Sequence, residues 1–297
     1  MSKFILWAWL MLIASAMSAQ TVINQVFDFD NAVEATRDII EVDDGYMFSG
    51  SGLGYTEFGG WTAILIGKID KQGNLVFVKK HGKSGQVWHS FGNSFIKLHD
   101  DNFLLAGTIY DSVFNERDAL MIKFNPLGDT LWTKKFGANF IEEYFYSSLE
   151  DSNGNLYAIG VKIISQTNWD YFIVKADSNG NQIWQRTYGN NGYDEGWSMD
   201  FTHDGNLIVA GGREFPPDEW DGHLMKIRPD GTVIWNKRYG TSNGDCAIGS
   251  INTTIDNGFV FLSCLDTVIN ADDDQYVLYV AKTDSAGNLL WRNFYNG

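Results

Sequence analysis

The chain has 297 residues, a formal charge of −15 at pH 7 and two cysteines. So acidic a balance argues against nucleic acid or anionic lipid as a partner, because both are bound through clustered Lys and Arg. Its longest apolar run falls short of the roughly 20 residues that cross a bilayer, so no membrane-spanning helix is expected.

Residues 1–19 carry Lys3, an apolar run over residues 4–13, and then Ala14, Ser15, Ala16, Ser18 and Ala19. This order of charge, apolar run and small residues predicts a secretory signal peptide cleaved after Ala16 or Ala19, and therefore a secreted or cell-surface protein. Residues 20–297 are long enough for one large all-β domain.

From residue 30 onward the chain repeats. The aromatics Phe77, Trp132, Trp184, Trp235 and Trp291 are spaced by 55, 52, 51 and 56 residues, each with an aromatic or His four places on. A period near 50 with no helical pattern predicts β-propeller blades. The repeats run over residues 30–82, 83–137, 138–189, 190–240 and 241–297. Each reads as four strands, labelled a to d. An Asp/Asn/Gly turn separates a from b, and strand b ends in Gly50, Gly107, Gly160 or Gly211, preceded by Ser49, Ala106, Ile159 or Ala210, with Leu262-Ser263 as the departure. Glycine inside a strand marks close backbone approach. Strand c is apolar on both faces, as in residues 171–174, and ends at Lys68, Lys123, Lys175, Lys226 or Lys282. A middle strand packed between neighbouring blades has this composition. Five residues after each Lys stands a Gly, and Asp or Asn usually opens the turn that this Gly completes, which is type I turn chemistry before strand d.

Residues 175–189 read Lys-x-Asp-x-x-Gly-x-x-x-Trp-x-Lys/Arg-x-Tyr-Gly, and residues 226–240 repeat this with one change. This resembles a family of roughly 50-residue propeller repeats in secreted bacterial proteins, often exported with a type IX sorting domain. The resemblance implies the fold and an extracellular scaffold of unassigned role. The Gly231 and Trp235 pair is also similar to the tryptophan-docking repeat of quinoprotein dehydrogenases, as kinship of architecture alone. The expected fold is thus an all-β propeller of five visible four-stranded antiparallel blades, in a ring of six or more left incomplete. Residues 21–29 read as a spare strand d, like residues 232–235, although the fifth repeat already owns one.

Function is expected on the face carrying the b–c and d–a loops, which read as longer and more variable than the turns of the other face, as over residues 50–62, 107–117, 211–221 and 269–275. There Trp61, Trp169 and Trp220 lie near acids, an arrangement that suits stacking on sugar rings or, alternatively, plugs neighbouring blades. Asp118, Asp170 and Asp221 recur five residues before the Lys, either capping loop N–H groups or ringing the channel to hold a cation. Asp272, Asp273 and Asp274 could give oxygen ligands to Ca²⁺, but lack the EF-hand spacing; no other cofactor is expected. The five histidines show no metal-ligand spacing, and the Gly-x-Ser-x-Gly string at 240–244 begins a loop between strands rather than a strand-to-helix elbow. Cys246 and Cys264 flank a hairpin out of clean register, as a disulfide or as two buried thiols. The leading expectation is a non-catalytic extracellular scaffold that binds a protein or glycan partner. The alternative is a carbohydrate-binding or carbohydrate-active protein using loop Trp and carboxylates.

Overall fold

The computed structural model describes residues 33–55, 61–112, 115–138, 140–215, 219–240, 246–270 and 273–295. Residues 1–32, and with them the expected signal peptide and spare strand, lie outside the described residues, as do Asp272 and the Ser of the Gly-x-Ser-x-Gly string.

The described residues form five antiparallel sheets of four strands, each in chain order. Blade one holds β1 (Val33–Val42), β2 (Gly45–Tyr55), β3 (Trp61–Asp70) and β4 (Leu75–His81). Blade two holds β5 (Gln86–Lys97), β6 (Phe103–Asp111), β7 (Glu116–Phe124) and β8 (Thr130–Phe136). Blade three holds β9 (Glu142–Glu150), β10 (Leu156–Ser165), β11 (Asn168–Ala176) and β12 (Gln182–Tyr188). Blade four holds β13 (Asp194–Phe201), β14 (Leu207–Phe215), β15 (Glu219–Ile227) and β16 (Val233–Tyr239). Blade five holds β17 (Ser250–Thr253), β18 (Phe259–Asn270), β19 (Asp273–Thr283) and β20 (Leu289–Tyr295). Strands β1, β5, β9, β13 and β17 together line a central cavity of ≈ 380 Å³.

Local chemistry accounts for the repeat letter by letter. The Lys on strand c reaches back to the a–b turn of its own blade, pairing Lys68 with Asp44, Lys123 with Asp100, Lys175 with Asp151, Lys226 with Asp204 and Lys282 with Asp256 at 2.6 to 3.8 Å. At the c–d turn the leading Asp or Asn accepts two backbone N–H groups, as Asp177 Oδ1 does from Asn179 and Asn181, both at 2.9 Å. The fourth residue, Gly73, Gly128, Gly180, Gly231 or Gly287, has φ between 75° and 85°, a region nearly closed to residues with a Cβ.

Strand d belongs to the next blade as much as to its own. Trp184 Nε1 donates to Pro229 O at 3.1 Å, Arg186 Nε to Asp230 O at 3.0 Å and Tyr188 Oη to Gly231 O at 2.6 Å, all on the following c–d turn. Blade four repeats the arrangement on blade five, with Tyr239 Oη donating to Gly287 O and Lys237 Nζ to Asn288 Oδ1. Four apolar clusters fill the spaces between successive blades. One joins Ile64 and Ile66 to Phe103, Leu105 and Phe124; another joins Ala106, Met121 and Phe136 to Phe145, Phe172 and Val174. The third joins Ile159 and Tyr171 to Met199, Val209 and Met225, and the fourth joins Ala210, Leu224 and Tyr239 to Phe259, Phe261 and Tyr279. Among the described residues no such cluster joins blade five to blade one.

Two expectations change. The b–c connections are tighter than the long loops read from sequence: strands b and c continue as a ladder, pairing Gly211 with His223 and on to Phe215 with Glu219, which satisfies backbone groups that a loop would leave to water. The cysteines are bonded to each other, with Cα atoms 5.0 Å apart. Ser250 pairs with Leu262, but Cys246 N donates to Cys264 O, so a local shift in pairing brings into register two residues that simple counting leaves out of step.

The close approach expected at the strand b glycines is present. A Cβ on Gly107, Gly160 or Gly211 would stand 2.2, 1.8 or 1.9 Å from the carbonyl oxygen of His89, Tyr144 or Glu195 on strand a. Gly160→Ala therefore forces the two strands apart, and we expect a loss of more than about 2 kcal/mol in urea unfolding, in line with strain at a closely packed backbone; an unchanged midpoint would show that the strands separate freely.

Turn carboxylates and buried carboxylates predict opposite pH slopes. In Asp204, burial pushes upward, but hydrogen bonds from Lys226, Thr202 and Asn206 outweigh it and hold the group well below its ordinary value of 3.8. Its stabilisation is present above that value and lost as pH falls through the folded one. Burial drives Asp194 the other way, up to about 6, so its charging costs stability as pH rises through 6. The urea midpoint should rise slightly from pH 7 to 5 and fall below pH 4. Asp204→Asn should lower stability at pH 7 by up to about 1 kcal/mol, because the exposed carboxylate is screened, and should flatten the acid limb. An acid limb as steep as that of the unsubstituted chain would assign it to other groups.

Candidate functional site

The glycines of strand b create the most distinctive feature of the channel. Opposite each of them strand a carries a β-bulge, between Thr36 and Asp38, between Ser90 and Phe95, between Phe145 and Ser147, and between Gly196 and Ser198. A bulge adds a residue that the partner strand does not match and re-aims its side chain. The bulged residues include Arg37, Phe91, Tyr146 and Trp197.

Three of these are aromatic and touch across three blades. The Phe91 and Tyr146 rings meet edge-on at 4.9 Å, and the Tyr146 and Trp197 rings lie 5.9 Å apart. Tyr144 stacks on Tyr146 at 6.4 Å. Tyr146 thus meets the innermost strands of the blades on both sides, contacts open to a side chain near the axis. Trp197 keeps 42% of its surface exposed.

Polar groups flank the row. Trp197 Nε1 donates to Glu195 Oε2 at 3.1 Å, Tyr144 Oη to Glu142 Oε2 at 2.7 Å and Arg117 Nη1 to Tyr144 Oη at 2.9 Å. The Arg117 guanidinium also lies 5.4 Å from the centre of the Tyr110 ring. Burial raises the Glu195 carboxyl above its ordinary value, against the opposing hydrogen bond from Trp197. Burial, reinforced by hydrogen bonding to Glu142, pushes the Tyr144 hydroxyl up to about 12. Burial and the nearby Arg117 and Arg37 lower His89, keeping its imidazole neutral. Carboxylates, a cation and aromatic faces therefore stand together at one mouth of the channel.

Farther along, the channel wall is committed to joining blades. Asp38 Oδ2 accepts from Ser94 N and Phe95 N at 3.3 and 3.2 Å, and Asp200 Oδ2 accepts from Thr253 N at 2.7 Å. Ser148 Oγ donates to Ser94 O at 3.0 Å. These polar channel residues bond the inner strand of a neighbouring blade.

The residues singled out from sequence lie elsewhere. Trp61 opens β3, with its side chain outside the described residues, while Trp169 and Trp220 are the second residues of β11 and β15. Trp169 is half-buried and meets Tyr193 of the next blade edge-on at 5.3 Å. Trp220 is half-buried, its ring lying over Gly212. Asp118 pairs with Lys135 at 2.8 Å and Asp221 with Arg238, each on strand d of its own blade. Strand d of blade three has Thr187 at the position of Lys135 and Arg238, and Asp170 with Asp194 closes on Gly189 instead, both carboxylates lying within 3.0 Å of the point a Cβ there would occupy. Asp194 in turn faces Arg213 at 3.1 Å. The same positions of blades two and three hold Asp118, Glu143 and Lys162, so this acid and base cluster recurs with the repeat. Asp273 and Asp274 are strand residues of β19. Among the described residues no three His, Cys, Asp or Glu side chains group as metal ligands.

Sequence reading missed Phe91, Tyr146 and Trp197, together with Glu142, and placed Glu195 only among the acids near the loop tryptophans. A signal was available: Tyr146 and Trp197 stand the same 29 residues before Lys175 and Lys226. It went unread because an aromatic in strand a looks like any core aromatic until the bulge turns it.

No protein-family model matches the sequence, and no curated protein matches it either. Solved structures do resemble it. A protein of unknown function from Dyadobacter fermentans is 9% identical, with 86% of this chain and 79% of that chain covered and a TM-score of 0.51. A thermostable family-43 glycoside hydrolase is 12% identical over 89% of this chain and 96% of that one, with a TM-score of 0.47. A gluconolactonase from Xanthomonas campestris is 11% identical over 89% and 86%, with a TM-score of 0.44. The expectation that the chain is not an enzyme is corrected on this finding, since propeller structures that resemble it include enzymes. At such identities the likeness is one of fold, and the described residues form an all-β propeller of five four-stranded blades.

Proposed function

We propose that this protein recognises a carbohydrate at the channel mouth formed by strands β5, β9 and β13. The observation that carries the proposal is the row of bulged aromatics, Phe91, Tyr146 and Trp197, flanked by Glu142, Glu195 and Arg117. A sugar ring has apolar C–H faces and an equator of hydroxyls. The exposed Trp197 ring offers a flat surface for a face, and the carboxylates and guanidinium supply acceptors and donors for the hydroxyls. Aromatic faces bring large contact area at small entropic cost, which is why they anchor binding sites. The expected signal peptide would deliver such a protein to extracellular glycans.

The same carboxylates define a catalytic version of the proposal. Hydrolysis of a glycosidic bond needs one carboxyl held protonated near neutral pH and a second held ionised across the bond. Burial moves Glu195 in the direction that the first role needs, which makes it the candidate acid; Glu142, exposed and bonded to Tyr144, is the candidate for the second.

Binding is tested on a glycan array followed by titration of Trp fluorescence. We expect a defined set of saccharides to bind, and Trp197→Ala to weaken them at least tenfold, about 1.4 kcal/mol, with an unchanged urea midpoint. A native chain that binds no saccharide, or that binds equally well without Trp197, would sink the reading. Hydrolysis is tested by release of new reducing ends from the saccharides that bind. Loss of release in Glu195→Gln with binding retained would assign the acid, whereas turnover that survives in both Glu142→Gln and Glu195→Gln would remove these residues from the chemistry.

A further inference from the structure

The row of bulged side chains begins one blade before its aromatics. A Cβ on Gly50 would stand 2.7 Å from the carbonyl oxygen of Ala35, just as one on Gly107, Gly160 or Gly211 would meet that of His89, Tyr144 or Glu195. Two places on from these four residues stand Arg37, Phe91, Tyr146 and Trp197, so blade one sets an arginine where the next three blades set a ring. Contacts between blades one and two hold this part of β1 beside the row. Asp38 Oδ2 accepts from Ser94 N and Phe95 N at 3.3 and 3.2 Å, and Ser90 Oγ donates to Gly50 O at 3.5 Å. The Arg37 side chain is exposed.

Arg117 stands at the same end of the row. Val87, Tyr110 and Arg117 lie opposite one another on β5, β6 and β7, and His89, two places on from Val87, shares their face of the sheet. The guanidinium lies 5.4 Å from the centre of the Tyr110 ring and 5.9 Å from that of Tyr144, and Nη1 donates to Tyr144 Oη at 2.9 Å. After burial, which lowers the His89 imidazole most, the charges of Arg117 and Arg37 lower it further, so both guanidinium groups lie near this ring.

Charge sets these two arginines apart. Other basic residues of blades two to four are paired: Lys135 with Asp118, Lys162 with Glu143, Arg213 with Asp194 and Arg238 with Asp221. Among the described residues neither Arg37 nor Arg117 makes an ion pair, and Glu142 bonds to the Tyr144 hydroxyl rather than to Arg117. The acids of the mouth, Glu142 and Glu195, stand on β9 and β13. The mouth is therefore cationic toward blades one and two and acidic toward blades three and four, in a chain whose formal charge is −15. A guanidinium without a carboxylate keeps its planar fork of donors for an incoming anion.

We propose that the saccharide taken by this mouth is acidic, with one carboxylate or ester sulfate held by Arg37 and Arg117 and a neutral unit of the same chain laid on Trp197. The inference rests on the carbohydrate reading and narrows it to a class of ligand. His89, held neutral, adds a hydrogen-bonding group without a charge of its own. Glu142 and Glu195 repel the anionic group from the Trp197 end and accept from hydroxyls there. The order of the row thus sets the direction in which the saccharide lies.

The test is titration calorimetry of the full chain with a panel of oligouronates, the same saccharides with their carboxyls reduced to alcohols, and sulfated forms of the reduced chains. At least one acidic saccharide should bind about tenfold or more tightly than its reduced counterpart, and the preference should shrink as salt screens it. Whether uronate or sulfate binds more tightly identifies the acidic group. Arg37→Gln and Arg117→Gln should each lower the preference at least about threefold. Trp197→Ala should weaken the acidic and reduced forms alike and leave the preference in place. Should Arg117→Gln lower the urea midpoint, the exposed Arg37→Gln reads the same preference alone. Reduced chains bound as tightly as acidic ones would overturn the proposal and leave the carbohydrate reading standing, and so would an array on which only neutral saccharides bind. A preference that survives in the double variant would also overturn it. Binding of no saccharide of either kind removes both.

Discussion

The docking of each outer strand onto the glycine turn of the next blade is the contact on which the rest of this structure depends. A single four-stranded sheet has two apolar faces and cannot bury both alone. Here strand d solves the problem at the rim: its Trp, its basic residue and its Tyr all reach the following c–d turn, through a hydrogen bond to a main-chain carbonyl as in Trp184 and Tyr188, or through a side chain as in Lys237. These contacts set the spacing at which the apolar faces meet, and the four inter-blade clusters fill that space. The positive φ of the turn glycine and the missing Cβ are both required, since the aromatic or basic side chain of the preceding blade rests where a Cβ would be.

A second glycine connects the scaffold to the channel mouth. At Gly107, Gly160 and Gly211 the carbonyl of strand a presses into the space a side chain would need, and opposite these glycines strand a bulges. The bulge turns Phe91, Tyr146 and Trp197 out of the sheet and into contact with one another. One small residue on strand b thereby determines what strand a displays. In blade five the position is Ser263, which bonds Cys246 O and Ala247 O, and the neighbouring strand carries the disulfide instead of an aromatic.

The architecture was legible in the sequence because each turn needs particular chemistry: Asp or Asn to accept the turn N–H groups, Gly for positive φ, and Lys to reach the Asp of the a–b turn. The Gly and the Lys recur in every blade and the opening Asp or Asn in all but blade four, which has Arg228, and so they become visible as a period. The channel mouth was less legible. Tyr146 and Trp197 depend on a register shift between strands, and register is a relation between distant residues that composition does not carry. The extent of strands b and c was misjudged for a related reason. Polar residues such as Arg213 and Glu214 read as loop, yet they extend a ladder whose pairing is decided by the partner strand. Asp118 and Asp221 were recognised as recurring, but their basic partners sit 17 residues away across the c–d hairpin, a distance fixed by pairing rather than by local pattern.

The four apolar clusters are arranged in series, and this has a consequence for how the molecule comes apart. In an array where each unit contacts only its neighbours, stability is close to a sum of unit and interface contributions, and units with one neighbour open first. Blade five is such a terminal unit among the described residues. The Cys246–Cys264 bond ties the segment entering β17 to β18 within that blade. The bond therefore leaves blade five free to part from blade four but keeps the inner edge of its sheet joined, and reduction would let that sheet come apart strand by strand.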